Sequence, residues 1–408
     1  MNRLALLLLP ALLLGDDLKG LLDFAGKNSD LVKSKLYTQD AKQKGVESQK
    51  GAYYPTVDVG AYYQRLDAKS PFMPGTTSSV YAKAGVNIYD GGINTALIKQ
   101  KESEERASGF DTQATKKNLS LGIVQDYYSI KDLEATLSAQ KEAAKFLQAQ
   151  LYRVQQFFIA KMATKDQVDR LKSAFDTNNY QMEVTKLQIF STKKALELKV
   201  GRDINELTDA SFEEPAGLTM EQSDAIKALG AQKESLTHGA RAIIGANYPI
   251  FRVEDTYSLY SYGNEDPTIP KQPDNQNKLM VTLNMRVFDD GSVQKNKEAV
   301  LANAQALNSQ MEYLNKEQKI NFEIAKNKIR TSKAEIESTS SALEAAQSAY
   351  KMIEEKFNAG IADSVTYLDA LSSLTNAKAL HVKALNDTQS AYAAYYYYSG
   401  KDIKEFLK

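Results

Sequence analysis

The segment VYAKAGVNIYDGGI, residues 80–93, decides the fold. Val80, Ala82, Ala84, Val86 and Ile88 alternate with Tyr81, Lys83, Gly85, Asn87 and Tyr89, and Asp90-Gly91-Gly92 ends the pattern. Alternation with period two gives a strand one apolar and one polar face. Beyond Gly92 the apolar spacing changes to seven, at Ile123, Ile130, Leu137, Ala144, Leu151 and Phe158. A sustained heptad demands a long helix with a partner along its seam. A strand of about 79–89 therefore runs straight into a helix of about 92–158.

The passage occurs twice. Leu279, Val281, Leu283, Met285 and Val287 alternate with Met280, Thr282, Asn284, Arg286 and Phe288, and Asp289-Asp290 replaces Asp90-Gly91 at a distance of 199 residues. The second heptad holds Phe322, Ile329, Ile336, Leu343, Tyr350 and Phe357, with Ala325, Ser332, Thr339, Ala346 and Ile353 as small or polar companions. Phe158-Ile159-Ala160 and Gly201-Arg202-Asp203-Ile204 recur at the same shift, while Tyr54-Pro55 recurs as Tyr248-Pro249 at a shift of 194. The chain is a tandem duplication with five extra residues in one loop of its second copy.

Each copy reads as a β-hairpin, a long helix, a short turn and a returning helix. The expected organisation is a signal peptide at 1–15, an N-terminal helix at 16–51 and repeat 1 at 52–204, with its β-hairpin at 52–89 and helical hairpin at 92–200. An inter-repeat equatorial segment and helix at 205–246 follows, then repeat 2 at 247–403, with β-hairpin 247–288 and helical hairpin 291–399, and a tail at 404–408. Each outgoing helix would reach roughly 100 Å and each returning helix roughly 57 Å. Segments 17–50 and 221–245 have the helical character and length to stack end-on with the returning helices. Thr164 with Gln167 resembles a capping box and Asp363 an N-cap. Met162 and Ile361, beside Gly360, put an apolar residue at each hairpin tip, where a partner could dock. Tyr395–Tyr398 either line an interior channel or pack on the 205–225 segment, and His381 falls on an interhelical position.

The amino terminus pairs Arg3 with an apolar run from Leu4 to Leu14, a pattern of export, the alternative being a buried core segment. The run is too short to span a membrane as a helix. Strands of about 10–13 residues with aromatic ends suit a tilted membrane strand, although a half-buried soluble sheet has the same alternation. Four strands cannot close a barrel, and an open edge in lipid leaves backbone groups unpaired, so the membrane reading requires an oligomer. Composition narrows the chemistry. Lys plus Arg (51) equals Asp plus Glu (51), there is no cysteine, and the histidines are two, His238 and His381. No field argues for nucleic acid, and no thiolate or histidine-rich metal centre or cofactor site is expected. No nucleophile–base pair or phosphate loop supports an enzyme.

The duplicated Tyr-Pro, the Tyr89-Asp90-Gly91-Gly92 junction, and Phe357-Asn358-Ala359-Gly360 through Tyr367-Leu368-Asp369-Ala370 with Asn376-Ala377 together resemble the TolC family of outer-membrane efflux channels. The resemblance covers essentially all of the mature chain. It implies a mostly α protein with membrane β, a homotrimer whose twelve-stranded β-barrel is continued by an α-helical barrel. Such channels serve tripartite efflux pumps or type I secretion systems in Gram-negative bacteria. They sit in outer-membrane lipid, extend into the periplasm, and dock a periplasmic adaptor and an inner-membrane pump. The family's tunnel narrows at carboxylates near its periplasmic end. Asp369 matches one of those positions, Thr366 occupies the other, and Ala362 stands where a gating arginine can occur. The aperture candidates are Asp369, Thr366, Asp363 and Asp166, and the docking candidates are Met162, Gly360 and Ile361. A ring of Asp369 would favour cations, whereas a solvated acid near a helix start is the plain alternative. A periplasmic adaptor or a structural coiled-coil protein are the rival readings. An adaptor would have one helical hairpin, and a filament would leave the strands unexplained.

Overall fold

The computed structural model describes residues 16–67, 74–263 and 271–408. The signal peptide expected at 1–15 lies outside the described residues, as do the middles of the two Pro- and Gly-rich loops. Four strands, β1 (Thr56–Arg65), β2 (Thr76–Tyr89), β3 (Ile250–Gly263) and β4 (Asn275–Asn284), form one antiparallel sheet in the order β1-β2-β3-β4. The hairpins of the two copies thus join through β2 and β3, in a register that sets Val80 opposite Leu259 and Ala82 opposite Tyr257.

The alternation expected in β2 continues across the sheet, because paired residues share a face. Val59, Ala82 and Tyr257 form one row of the apolar face, and Val57, Ala84, Asp255 and Leu279 form another. Val57, Val59, Val80, Leu259, Leu279 and Val281 are all exposed in the single chain. β4 ends at Asn284, short of the expected Phe288. Its partner β3 begins at Ile250, and the preceding Pro249 has no N–H to extend the ladder.

The helices are α1 (Leu18–Asn28), α2 (Asp30–Lys50), α3 (Ile93–Ile159), α4 (Lys165–Val200), α5 (Asp224–Gly245), α6 (Ser292–Asn358) and α7 (Ser364–Tyr398). α3 and α6 have 67 residues each. At each strand-to-helix junction an aspartate closes the first turn. Asp90 accepts from the N–H groups of Gly92 (3.0 Å) and Asn94 (2.7 Å), and Asp289 from those of Gly291 (3.0 Å) and Val293 (2.9 Å). These caps satisfy donors that a helix start leaves unpaired.

One N-terminal helix is expected over 16–51, but the chain breaks at Ser29, whose N–H still bonds Ala25 O (3.1 Å) while its ψ turns to 132°. The break sits against the end of α4. Gly201, with φ of 88°, lies beside it in ordinary contact, an added Cβ standing 3.5 Å from Asn28 O and Ser29 Cα. Likewise α7 ends at Gly400, whose Cβ would meet Glu221 O at 2.6 Å, just before α5.

The chain divides into two compact units, each drawing on both repeats. One comprises the described residues to Leu36 with Thr112–Asp224 and Asn315–Lys408, the other Tyr37–Asp111 with Ala225–Leu314. The second holds the sheet; beside it Tyr53 Oη bonds Thr95 (2.7 Å), and ion pairs Lys42–Glu104 (3.1 Å) and Arg106–Glu234 (2.5 Å) join α2 and α5 to α3. The first has two apolar clusters. In one, Ile123, Tyr127 and Ile130 of α3 pack with Leu18, Leu22, Phe322, Ile329 and the tyrosines that end α7. The other gathers Leu147 and Val154, Leu171, Leu343, Tyr350 and Phe357, and Tyr367 and Leu371. The α6 heptad thus lies in the two cores in turn.

Across the first cluster runs the 205–223 segment, whose polar backbone is bound by side chains. Tyr128 donates to Ala210 O (3.0 Å), Lys131 to Leu207 O (2.7 Å) and Tyr396 to Glu213 O (3.0 Å), while Tyr395 accepts from Leu218 N (3.1 Å). Tyr395 and Tyr396 therefore take the packing role. His381 Nδ1 meets Thr339 Oγ1 at 3.3 Å, between α7 and α6.

Candidate functional site

The ends of the two helical hairpins lie together. Thr164 and Gln167 form the reciprocal capping box at α4, and Asp363 accepts from Thr366 N (2.8 Å) at α7. That backbone hydrogen bond, with help from the Thr366 hydroxyl, holds the Asp363 carboxyl below the usual carboxylate range. Arg153 of α3 reaches the last residue of α6, donating to Asn358 O (2.6 Å) and to its side-chain oxygen. The two turns need left-handed backbone, supplied by Gly360 (φ 75°) in one copy and by Lys161 (φ 60°) in the other. Met162 (75% exposed) and Ile361 (77%) stand outward at the tips.

Behind the tips the contact is aromatic. Tyr367, with no exposed surface, stacks on Phe357 at 4.7 Å and meets the Tyr350 hydroxyl at 3.2 Å. Phe146 of α3 lies 5.6 Å from the Tyr350 ring. One residue, the fourth of α7, thus ties its helix to α6. Sequence reading passes over this role: Tyr367 is visible in the motif, but nothing in its spacing marks it as buried. Arg153 has no sequence signal beyond being a base near a helix end.

Asp369 and Thr366 are exposed on α7, and Asp166 is exposed on α4, where it pairs with Arg170 of its own helix (2.9 Å). Asp363 and Thr366 are brought together in the cap, whereas Asp166 is engaged elsewhere. Among the described residues no cation lies within ion-pair distance of Asp369. It borders a cleft of about 410 Å³ between α3, α4 and α7, with Thr136 and Gln140, Asn178 and Gln181, and Ser372 and Thr375. Leu147, Leu368 and Leu371 give the cleft an apolar wall beside these polar groups. Lys378 of α7 pairs with Glu142 of α3, and Asn178 donates to Gln140 O (3.0 Å), so the three helices are joined around it by polar contacts.

One turn further along α3, Asp132 accepts from Asn386 Nδ2 of α7 (2.6 Å). Burial, opposed by that bond and by Lys383 and reinforced by Asp387, pushes its carboxyl up to about 6 from 3.8. Lys383 is engaged by Asp387 (2.7 Å) and does not neutralise it. A raised carboxyl contributes stability that is fully present below about pH 4 and lost as pH rises through 6. Asp132→Asn keeps the shape and removes the charge. The variant should match the parent near pH 4 and exceed it near pH 7 by about 1 kcal/mol, after discounting for partial exposure. Thermal unfolding at the two pH values checks this; equal differences at both would rule out titration of Asp132.

The sheet supplies the second feature. Its apolar face ends toward the helices in Tyr89 and Phe251, edge to face at 6.4 Å, and toward the loops in exposed Tyr63. Its other face carries Asp58, Lys83, Arg252, Glu254 and Lys278, with Lys83 and Arg252 both near Glu254 (3.8 and 3.5 Å). An apolar band between aromatic rims, backed by a polar face, is what a membrane barrel strand presents. No helix among the described residues is long and apolar enough to cross a membrane.

A family model described as outer membrane efflux protein matches residues 22–160 and 219–401. No curated protein matches the chain. Solved structures do share the fold. A membrane protein from Pseudomonas aeruginosa is 16% identical, with a TM-score of 0.82 over 94% of this chain and 93% of that one. The outer membrane protein VceC from Vibrio cholerae is 15% identical, with a TM-score of 0.78 over 95% and 96%. The CmeC outer membrane channel of Campylobacter jejuni is 14% identical, with a TM-score of 0.83 over 94% and 85%.

Proposed function

Since the chain belongs to the outer membrane efflux protein family, and is therefore an outer-membrane efflux channel protein that conducts passively and is not an enzyme, we propose that it works as a homotrimer whose sheets close into one twelve-stranded barrel. The carrying observation is the pair of open sheet edges. Among the described residues β1 pairs only with β2, and β4 only with β3. In lipid both edges would leave backbone donors and acceptors unpaired at several kcal/mol each. The alternating strand directions let β4 of one copy run antiparallel to β1 of the next, so rings of copies close naturally. Two copies would supply eight strands and three would supply twelve; the resemblance in the tip and junction motifs favours three. The division into two repeats, each a β-hairpin and a helical hairpin, fits the same scheme, with the helices continuing the barrel as an α-helical tube in the periplasm.

Electron microscopy of the detergent-extracted protein tests the assembly. Three-fold particles with a barrel at one end are expected, and monomers or barrel-free filaments would overturn it. A family of exit ducts implies a periplasmic adaptor and an inner-membrane pump as partners. Met162 and Ile361, exposed on turns shaped by Lys161 and Gly360, are the surfaces offered for docking. An adaptor or filament reading loses its basis with the family assignment.

The aperture is assigned to Asp369 with Thr366 beside it. Asp369 is exposed and has no cation within ion-pair distance among the described residues, so in a ring it would present its charge to the lumen. Asp363 acts as a cap, and Asp166 is held by Arg170. Asp369→Asn should lower the cation-over-anion permeability ratio in planar bilayers roughly two- to fivefold without altering assembly. An unchanged ratio would remove Asp369 from the mouth.

A further inference from the structure

We propose that the loop-side half of the sheet's polar face is a tyrosine surface that favours flat aromatic cargo. The proposal rests on the channel reading above, in which that face lines the lumen. Rows across the sheet divide sharply. Nearer the helices, Asp58 pairs in register with Lys83, Thr256 with Lys278, and Glu254 adjoins Lys83 and Arg252. Nearer the loops the same face carries Tyr62 opposite Ser79 opposite Tyr260, Gly60 opposite Tyr81 opposite Ser258, and Thr77 opposite Tyr262. Within the strands these rows hold no charged side chain; just outside β4, Asp274 continues the row of Tyr260, whose N–H bonds its carbonyl (2.8 Å), and is paired with Lys271 (3.1 Å).

The tyrosines are arranged as a surface. The rings of Tyr260 and Tyr262 are parallel within 13° at 5.8 Å, two positions apart on β3. The phenol end of Tyr81 lies over Gly60, so close that a Cβ there would fall 2.5 Å from its oxygen. Gly60 is thus what lets Tyr81 lie down along the sheet, as a glycine does where a ring must approach backbone. Tyr62 is 45% exposed beside them. An aromatic face attracts another ring through its quadrupole and apolar area, a pull that an aliphatic chain of equal charge and size does not share. Cargo leaving the charged rows would meet four such faces per copy.

The test reconstitutes the full chain in planar bilayers and compares two monovalent probes, benzyltrimethylammonium and hexyltrimethylammonium, as blockers of potassium chloride current. The aromatic probe is expected to dwell longer in the parent channel. Replacing Tyr62, Tyr81, Tyr260 and Tyr262 by leucine should shorten its dwell about 3- to 10-fold and leave the aliphatic probe unchanged, while phenylalanine at the same positions should retain the preference. Equal dwell of both probes in the parent, or loss of the preference in the phenylalanine variant, overturns the proposal. Absence of potassium chloride current in the parent would instead overturn the channel reading, and the proposal with it.

Discussion

Tyr367→Ala is expected to open the hairpin ends without disturbing the rest of the chain. The side chain is fully buried, stacks on Phe357 at 4.7 Å and shares its hydroxyl with Tyr350. Truncating a buried aromatic to alanine costs about 3–5 kcal/mol, because burial is lost and a cavity remains. The neighbours here are Phe357 and Tyr350 of α6, near the chain's turns, so little surrounding structure can collapse into the space. Hydrogen exchange should rise about 150- to 5,000-fold over Leu343–Asn358 and Ser364–Leu374, the fold-change equivalent to that free energy. Exchange around Ile123–Ile130 should stay as it is, since those residues belong to the other apolar cluster. Tyr367→Phe keeps the stack, loses one hydrogen bond and should cost only about 1 kcal/mol. Unchanged exchange at the tip in Tyr367→Ala would show that the rods are held elsewhere, Arg153 on Asn358 being the next contact to examine.

What could be read in advance follows from which forces leave a periodic trace. The heptad from Phe322 to Phe357 and the alternation from Val80 to Ile88 are repeated demands of burial, and both survive in the structure with ends displaced by few residues. Caps were legible because an aspartate or threonine must sit at one place, as Asp363 and Thr164 do. The break at Ser29 was not, because the element it packs beside, at Gly201, lies far away in the chain. Nor was the joining of β2 to β3, whose register depends on contacts between copies of the repeat. At the site, charge drew the eye to Asp369, Asp363 and Asp166, while Tyr367 and Arg153 act through packing and a helix end. An acid announces itself in a sequence; a buried phenol needs its neighbours to be recognised.

Arginine on the sheet's apolar face should prevent assembly altogether. Val59 and Val281 are exposed in the chain and stand on the same face as Ala82, Tyr257 and Val253. If that face meets lipid, an arginine at mid-depth costs about 2–4 kcal/mol. A ring of copies bearing Val59→Arg and Val281→Arg repeats the penalty in every subunit, a total on the order of 10 kcal/mol or more. Asp255, on the same face between Ala84 and Leu279, shows that one acid per copy is borne there, consistent with the lower penalty of an acid than a base. Membrane fractions of the double variant should lack the oligomer, while circular dichroism retains its helical signal, because the two apolar clusters of the helices contain no residue of the sheet. Gln64→Arg supplies the control. It lies on the opposite face, in register with Thr77, and should leave assembly intact because a lumen side accepts charge. Intact oligomers in the valine variant alongside a failed Gln64→Arg would mean that the sheet faces the other way, with Tyr260 and Tyr262 turned to lipid and the valines to water.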